Sequence, residues 1–250
     1  MTQPNPTAAV LVIGDEILSG RTQDTNTNTI ARLLTATGVD LMEARVVGDR
    51  REQIITAVNA LRTTYDYVFT TGGIGPTHDD ITADCVAEAF GVELPEHPEA
   101  LAILQRRYGA EFNAARRRMA RIPSGATLIA NPVTDAPGFQ IENVFVMAGV
   151  PVITQAMLQD VAPRLKTGAV VHSGTLKVVN AGEGDVAEIL ARASRENPEL
   201  SFGSYPFGHG TSGGMGTRLV VRGQDETILK RAVRELQMRL GEAGVEVTPQ

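Results

Sequence analysis

The sequence predicts an α/β protein whose mostly parallel sheet is covered by helices on both faces, followed by a small α+β unit. Strand and helix patterns alternate through residues 8–165, which is the order of repeated β-α-β units. Beyond residue 168 the order becomes β-α-β-β-α-β, the ferredoxin-like arrangement. Small and polar residues cluster where the pattern changes, so we expect two domains, 1–167 and 168–250.

Each element of the first unit follows from the spacing of its apolar residues. Runs of β-branched and aromatic residues predict strands, whereas spacings of three and four, as in Ile54, Val58 and Leu61, predict helices. Pro163 lies in the last helical pattern, which must bend or end there. The predicted order is strand 8–13, a helix through Ile30 and Leu34, strand 40–47, helix 51–61, strand 67–71, helices 81–90, 98–108 and 111–121, strands 127–129, 139–141 and 144–147, and helix 152–165.

The second unit has its own helical and extended patterns. Its first helical pattern places Val186, Ile189 and Ala193 on one face. A glycine-rich loop at 208–214 joins two predicted strands, and we expect a hairpin connection there in preference to a ligand site. The predicted order is strand 173–180, helix 184–194, strands 200–207 and 215–222, a helix through Ile228 and Leu240, and strand 245–247.

The composition supports a largely aliphatic core and an acidic surface. Of the 250 residues 42% are hydrophobic, only 4% are aromatic and none is Trp. A formal net charge of −6 argues against general nucleic-acid binding, so an anionic ligand would need local arginines or a metal ion. No apolar run approaches the ~20 residues of a membrane span. The N-terminus has no charged segment typical of a signal peptide, so we expect a cytoplasmic location and no membrane partner.

The most informative motif follows the third predicted strand. There Gly72, Gly73 and Gly75 form a turn, and the carboxylates Asp79 and Asp80 come directly before a helical pattern. Glycines let a ligand approach the backbone, and the start of a helix presents free N–H groups to an anion. Carboxylates would repel a naked phosphate, which suggests that a divalent cation lies between the two.

The same residues also have a structural interpretation. Thr77 and Asp80 match a capping box, and Asp79 suits the first turn of the following helix. The glycines match neither the dinucleotide-binding fingerprint nor the P-loop. A second junction of the same kind favours the functional interpretation.

That second junction lies near the N-terminus, where a buried-type strand again ends in a glycine and two carboxylates, Gly14, Asp15 and Glu16. A polar stretch then leads into the next helix, for which Thr25 or Asn26 is a candidate N-cap. The carboxyl ends of parallel strands share one edge of an open sheet, and ligands bind at that edge. We therefore expect these carboxylates to meet those of the glycine loop.

Three other features carry weaker signals. Cys85 is the only cysteine, lies in an apolar helical pattern and is expected to be a buried, inert thiol. The four histidines show no zinc spacing. The basic run of Arg116, Arg117 and Arg118 with Arg121 favours a solvated helix face over phosphate contact.

Five spaced motifs occur in the order found in one known family. Together they resemble the MoaB/Mog-like molybdopterin-binding domain, in the form found at the N-terminus of competence/damage-inducible protein A (CinA). The resemblance covers residues 8–165 and implies a three-layer α/β/α fold. The motifs are Gly14-Asp15-Glu16-Ile17-Leu18-Ser19-Gly20, Asp24-Thr25-Asn26, Val47-Gly48-Asp49, Thr70 to Asp80, and Asn131-Pro132-Val133 with Ala136-Pro137-Gly138-Phe139.

The resemblance implies a pocket for a phosphorylated nucleotide or pterin at the glycine loop. Asp49 and Asp80 occupy acidic positions of the motifs and are the expected catalytic residues, although Asp49 is also a candidate N-cap. A divalent metal, Mg²⁺ or similar, is expected on Asp15, Glu16, Asp79 and Asp80. The expected ligand-binding residues are Gly14, Asn26, Thr71, Gly72, Gly73, Gly75, Thr77, Pro137 and Gly138.

Proteins that this chain resembles differ in their chemistry. Some hydrolyse the pyrophosphate of ADP-ribose or related nucleotides with a divalent metal, and others transfer adenylate to molybdopterin. We expect a metal-dependent nucleotide pyrophosphatase, with molybdopterin adenylyl transfer and non-catalytic binding of a nucleotide or pterin as alternatives. The resemblance also implies a homo-oligomer, either a dimer or a trimer.

Overall fold

Six strands form one sheet in the N-terminal part of the computed structural model, which describes residues 4–208 and 215–249. Four strands form a second sheet in the C-terminal part. The chain divides into two compact units, Met1–Gly168 and Ala169–Gln250. Within the described ranges, no helix is both long enough and apolar enough to cross a membrane.

The elements of the N-terminal unit follow the predicted alternation of strands and helices, with one short helix added after the first strand. They are β1 (Thr7–Ile13), α1 (Asp15–Leu18), α2 (Asn26–Thr37), β2 (Asp40–Val47), α3 (Arg51–Thr64), β3 (Tyr67–Thr71), α4 (Thr82–Phe90), α5 (Pro98–Tyr108), α6 (Ala114–Arg118), β4 (Thr127–Ile129), β5 (Gly138–Ile141), β6 (Val144–Met147) and α7 (Pro151–Val161).

The sheet of this unit has the strand order β2-β1-β3-β6-β5-β4. Strands β2, β1, β3 and β6 are parallel, and only β5 and β4 run antiparallel to their neighbours. Successive residues of β1 point to opposite faces: Leu11 packs with α3, α4 and α5, whereas Val10 packs with α2 and α7. The predicted three-layer α/β/α fold with a mostly parallel sheet is therefore confirmed.

The chain reverses its direction of travel across the sheet at β1. From β1 it crosses to β2 on one side, and it then returns to pair β3 on the other side. Such a switch point leaves a crevice at the carboxyl ends of the two central strands, because the connections leave in opposite directions. The ends of β1 and β3 are therefore the place to look for a ligand site.

Two helical predictions need correction. The helix predicted over 111–121 is shortened, because Asn113 accepts a hydrogen bond from the backbone N–H of Arg116 (3.0 Å) and starts a new, five-residue helix. The helix predicted over 152–165 ends at Val161, and Pro163 lies in a 3₁₀ turn because its missing N–H cannot continue the helix.

The C-terminal unit contains β7 (His172–Val179), α8 (Glu183–Glu196), β8 (Ser201–Phe207), β9 (Gly216–Gly223), α9 (Glu226–Glu242) and β10 (Val247–Pro249). Its sheet has the order β10-β7-β9-β8 with every pair antiparallel, which confirms the ferredoxin-like arrangement. Both helices contribute to one core, with Val186 and Leu236 packed against Leu176 and Leu219 of the sheet. Most of the glycine-rich loop predicted at 208–214 lies outside the described residues.

Candidate functional site at the switch point

The glycine turn after β3 lies against the end of β1. Gly72 has φ 103°, and a side chain there would overlap the carbonyl oxygen of Ile13. Its own N–H donates to the carbonyl of Met147 at the end of β6 (3.2 Å). Gly73 has φ 68°, and a side chain there would overlap Thr82 at the start of α4. Only glycine fits this close approach of three strand ends.

This geometry corrects one expected role of the glycines. The N–H of Gly72 is already bonded to the sheet, so it is not free to hold a phosphate. The N–H of Gly14 is likewise used, because it donates to the carbonyl of Val47 (3.0 Å). Gly73 and Gly75 remain candidates, since both line a small cleft beside the turn.

Asn26 forms the opposite wall of the glycine turn. Its Nδ2 donates to the carbonyl of Gly149 (2.7 Å), and Gly149 in turn packs against the backbone of Gly72. Thr25 is the N-cap residue of α2, one of the two predicted, but its side chain makes no capping bond; the carboxylate of Asp24 accepts from the N–H groups of Asn26 and Thr27 instead. The Oδ1 of Asn26 has no partner.

Several buried polar atoms at this edge have no hydrogen-bond partner. Thr70 and Thr71, at the end of β3, are 0% and 1% exposed, and neither hydroxyl is bonded. The Oδ1 of Asn26 and the hydroxyl of Thr27, at the start of α2, are also buried without a hydrogen-bond partner. A buried polar group without a partner costs about 1–3 kcal/mol. Their concentration at one strand edge indicates a site that is completed by polar groups of a ligand or by water.

Asp49 and Asp15 come together across the ends of β1 and β2. The Oδ2 of Asp49 accepts from the N–H of Asp15 (2.9 Å). Asp49 is not the N-cap of α3, because that position belongs to Arg50. A side chain at Gly48 would overlap the Asp15 carboxylate, and one at Gly14 would overlap the Glu16 carboxylate. These two glycines therefore make room for the acidic side chains.

The electrostatic surroundings of Asp49 differ from those of an ordinary surface carboxylate. Burial is the main cause that raises the pKa of Asp49, and the N–H of Asp15 partly opposes it. The negative charges of Glu16, Asp15 and Asp79 raise the pKa further. Carboxylates from three separate loops thus lie near enough to repel one another.

Asp80 has a different environment. Its Oδ2 accepts from the N–H (2.8 Å) and the hydroxyl (2.5 Å) of Thr77, which closes a turn inside the loop. The prediction that Thr77 and Asp80 cap the following helix is wrong, because α4 begins at Thr82 and its N-cap residue is Ile81. The Thr77 hydroxyl donates its proton to Asp80, so toward a ligand it can act only as an acceptor. Asp79 is exposed, with His78 Nδ1 3.8 Å from its Oδ1.

The predicted metal ligands do not form a closed set. Among residues 4–208 and 215–249, no group of three or more His, Cys, Asp or Glu side chains is arranged to hold a metal ion. Asp15, Glu16 and Asp79 surround Asp49, whereas Asp80 turns to Thr77. An all-oxygen donor set still fits Mg²⁺, which is commonly held by one or two carboxylates together with phosphate oxygens. The metal therefore stays a prediction.

The cleft beside the glycine turn is lined by Asp80 and Pro137, which the motifs indicated as site residues. It is also lined by Arg118 and Arg121, which the motifs did not indicate. The only sequence signal for these arginines was the basic run, which favoured a solvated face. Gly138 does not line the cleft; a side chain there would overlap the carbonyl of Val146, so packing of β5 on β6 explains this glycine. The cleft also contains Gly73, Ile74, Gly75, Ala83, Met119, Ile122 and Phe139.

Cys85 takes no part in this site. It is fully buried, and burial raises the pKa of its thiol to about 11, so the inert thiol expected from the sequence is confirmed.

An open sheet with glycine turns and carboxylates at its switch point is typical of α/β proteins that bind a small ligand at the strand ends. Residues 9–167 match the family described as probable molybdopterin binding domain. The chain belongs to this family. Residues 171–248 match a second family, described as FAD synthase, middle domain.

Relatives and a solved structure extend this result. A CinA-like protein of Citrifermentans bemidjiense is 38% identical over 93% of this chain, which spans 58% of that protein. A protein of Pyrococcus abyssi is 34% identical, with 93% of this chain and 96% of that protein covered. The crystal structure of CinA from Thermoplasma acidophilum is 34% identical and superimposes with a TM-score of 0.62, covering 65% of this chain and 99% of that one. The N-terminal unit is thus CinA-like in sequence and fold.

Proposed function

We propose that this chain binds a phosphorylated nucleotide or pterin at its switch point and hydrolyses a nucleotide diphosphate with a divalent metal. One observation carries the proposal: the Oδ2 of Asp49 accepts from the N–H of Asp15 (2.9 Å), and the negative charges of Glu16, Asp15 and Asp79 help to raise the pKa of Asp49. Such a cluster of like charges is unfavourable by itself and favourable around a divalent cation. The name of the matched family, which refers to molybdopterin, supports a pterin as one class of ligand.

The polar atoms left unpaired at the strand edge are available to form hydrogen bonds with the ligand. The Oδ1 of Asn26 accepts a donor of the ligand, and the hydroxyl of Thr71 bonds one of its oxygens. Asp80 positions the loop through Thr77. If Mg²⁺ binds on Asp15, Glu16 and Asp79, it neutralises phosphate charge and makes water more acidic.

Asp49 is the residue we assign to proton transfer. Because its pKa is raised, it accepts a proton more readily than an ordinary aspartate. The oxygen of water attacks one phosphorus of the diphosphate, the bond to the bridging oxygen breaks, and its electron pair leaves with the other phosphate. The proton of the attacking water passes to the Asp49 carboxylate. From ADP-ribose the products are AMP and ribose 5-phosphate.

The proposal is tested by incubating the full chain with ADP-ribose and Mg²⁺, Mn²⁺ or Co²⁺, and measuring AMP by chromatography. Asp49→Asn should lower the rate about 100-fold or more. Asp225→Asn is the control, because Asp225 caps α9 in the other unit and asparagine caps equally well. Release of AMP that needs no metal, or that is unchanged in Asp49→Asn, would contradict the mechanism.

The alternatives give different products in the same experiment. Adenylated pterin formed from ATP and molybdopterin would indicate adenylyl transfer. Tight binding of ADP-ribose or of the pterin without turnover would indicate a binding module. Assembly into a dimer or trimer also stays a prediction, and a monomer mass in light scattering at micromolar concentration would refute it.

A further inference from the structure

The three consecutive arginines of α6 have different surroundings. Arg117 makes two hydrogen bonds to the carboxylate of Glu96 (2.6 and 2.8 Å). Arg116 lies over the ring of Tyr108, 4.3 Å from its centre, and pairs with Glu111 (3.1 Å). Arg118 is half-buried, and its side chain makes no hydrogen bond or ion pair to any part of the chain that the structure describes. Among the three arginines of α6, only Arg118 therefore has its whole guanidinium unpaired.

Arg118 lines the cleft beside the glycine turn, together with Gly73, Gly75 and Asp80. The second arginine of this cleft, Arg121, is already engaged, because its two terminal nitrogens donate to the Asp84 carboxylate (2.9 and 2.7 Å). Arg118 thus brings an unpaired guanidinium to the cleft that Gly73 and Gly75 also line. A planar guanidinium has the geometry to donate two parallel hydrogen bonds to a phosphate.

We propose that Arg118 binds a phosphate group of the ligand in this cleft and selects phosphorylated over unphosphorylated ligands. The inference rests on the proposed function and adds to it a second anion-binding position. The carboxylate cluster lies at the ends of β1 and β2, and Arg118 faces the cleft behind Gly73. The phosphate can belong to a nucleotide or to a pterin.

The test is a calorimetric titration of the full chain with ADP and with adenosine, in the presence of EDTA so that no metal contributes. Arg118→Gln should weaken ADP binding about 10-fold or more, since a hydrogen bond to a charged group is lost. Adenosine binding should change less than about twofold. Arg118→Lys should recover part of the loss, because it keeps the charge without the paired donors.

Arg117→Gln is the matched control on the same helix, because Arg117 is exposed and already paired with Glu96. It should bind ADP like the wild type. Equal ADP affinity in Arg118→Gln and wild type would overturn this inference and leave the proposed hydrolysis standing. Loss of ADP binding in Arg118→Gln, together with no hydrolysis by the wild type, would support the inference and reject hydrolysis. No binding of ADP or ADP-ribose by the wild type would overturn both.

Discussion

Both units bury threonine and asparagine side chains, but within the described ranges only the N-terminal unit leaves some of their polar atoms unpaired. In the C-terminal unit, the buried Thr217 donates to the carbonyl of Ala181 (3.3 Å), and the buried Asn197 donates to the carbonyl of Ala193 (2.9 Å). In the N-terminal unit, the hydroxyl of Thr71 has no partner, and Asn26 leaves its Oδ1 unpaired. Burial of a polar residue is therefore no sign of a binding site; an unmet hydrogen bond is the more useful sign.

The difference follows from the sheets. In the antiparallel sheet, neighbouring strands pair along their lengths, and both helices close over one core. In the parallel sheet, the strands of the centre end at one edge, and their connections diverge at β1. Thr70 and Thr71 end the central strand β3, between β1 and β6, and their hydroxyls have no hydrogen-bond partner there. All the buried unpartnered side-chain atoms found in the described ranges belong to the N-terminal unit.

The largest expected effect comes from the glycine turn. Gly72→Ala forces a side chain into a left-handed backbone conformation and against the carbonyl of Ile13, so the free energy of unfolding should fall by about 3 kcal/mol or more. Gly91 also has a positive φ (66°), but a side chain there would meet open space. Gly91→Ala should therefore lower the free energy of unfolding by only about 1 kcal/mol. Calorimetric melting of both variants measures the difference, and equal losses would show that the close approach to β1 is unimportant.

A matched pair of threonines sharpens the comparison of the two units. Thr71→Val removes an unpaired hydroxyl, so stability should stay constant or rise by about 1 kcal/mol while affinity for ADP falls. Thr217→Val breaks a bonded hydroxyl, so stability should fall by about 1 kcal/mol while affinity is unchanged. Denaturant melts and ADP titrations of the two variants provide the measurements. If both variants change stability and ADP affinity in the same way, the proposed difference between the two units is wrong.

A smaller effect is expected from pH. Because the pKa of Asp49 is raised in the folded chain, its protonated form favours folding. This contribution is fully present below the ordinary value of about 4 and is lost as the pH rises through the raised value. In EDTA, the wild type should therefore gain stability relative to Asp49→Asn as the pH is lowered from 7 toward 4.

The control for this experiment is Asp66→Asn, which should show the opposite sign. The N–H and hydroxyl of Thr7 lower the pKa of Asp66, so its contribution is present above the ordinary pKa and is lost only as the pH falls through the lowered value. The difference in melting temperature between each variant and the wild type, followed from about pH 2 to pH 8, is the measurement, and the difference for Asp66→Asn should change only below about pH 4. If the difference in melting temperature between Asp49→Asn and the wild type does not change with pH, then neither burial nor the acidic neighbours raise the pKa of Asp49.

Much of the site was predictable, and the reason is the parallel sheet. Once strands 8–13 and 67–71 are recognised from their apolar runs, the residues after them must share an edge. The identity of the free groups was not predictable. Arg117 pairs with Glu96, whereas the side chain of Arg118 has no partner in the described ranges. Neighbours in the sequence with the same chemistry differ here because their partners come from distant segments.

By itself, the sequence determined the two kinds of sheet, the alternation of elements and the position of the glycine turns, because burial imposes a period of two on strands and of about 3.6 on helices. Only the tertiary structure decided that Asp49 meets Asp15 and that Asn26 holds Gly149. These contacts join segments far apart in the chain, so they depend on strand order and register. No local pattern of residues records that information.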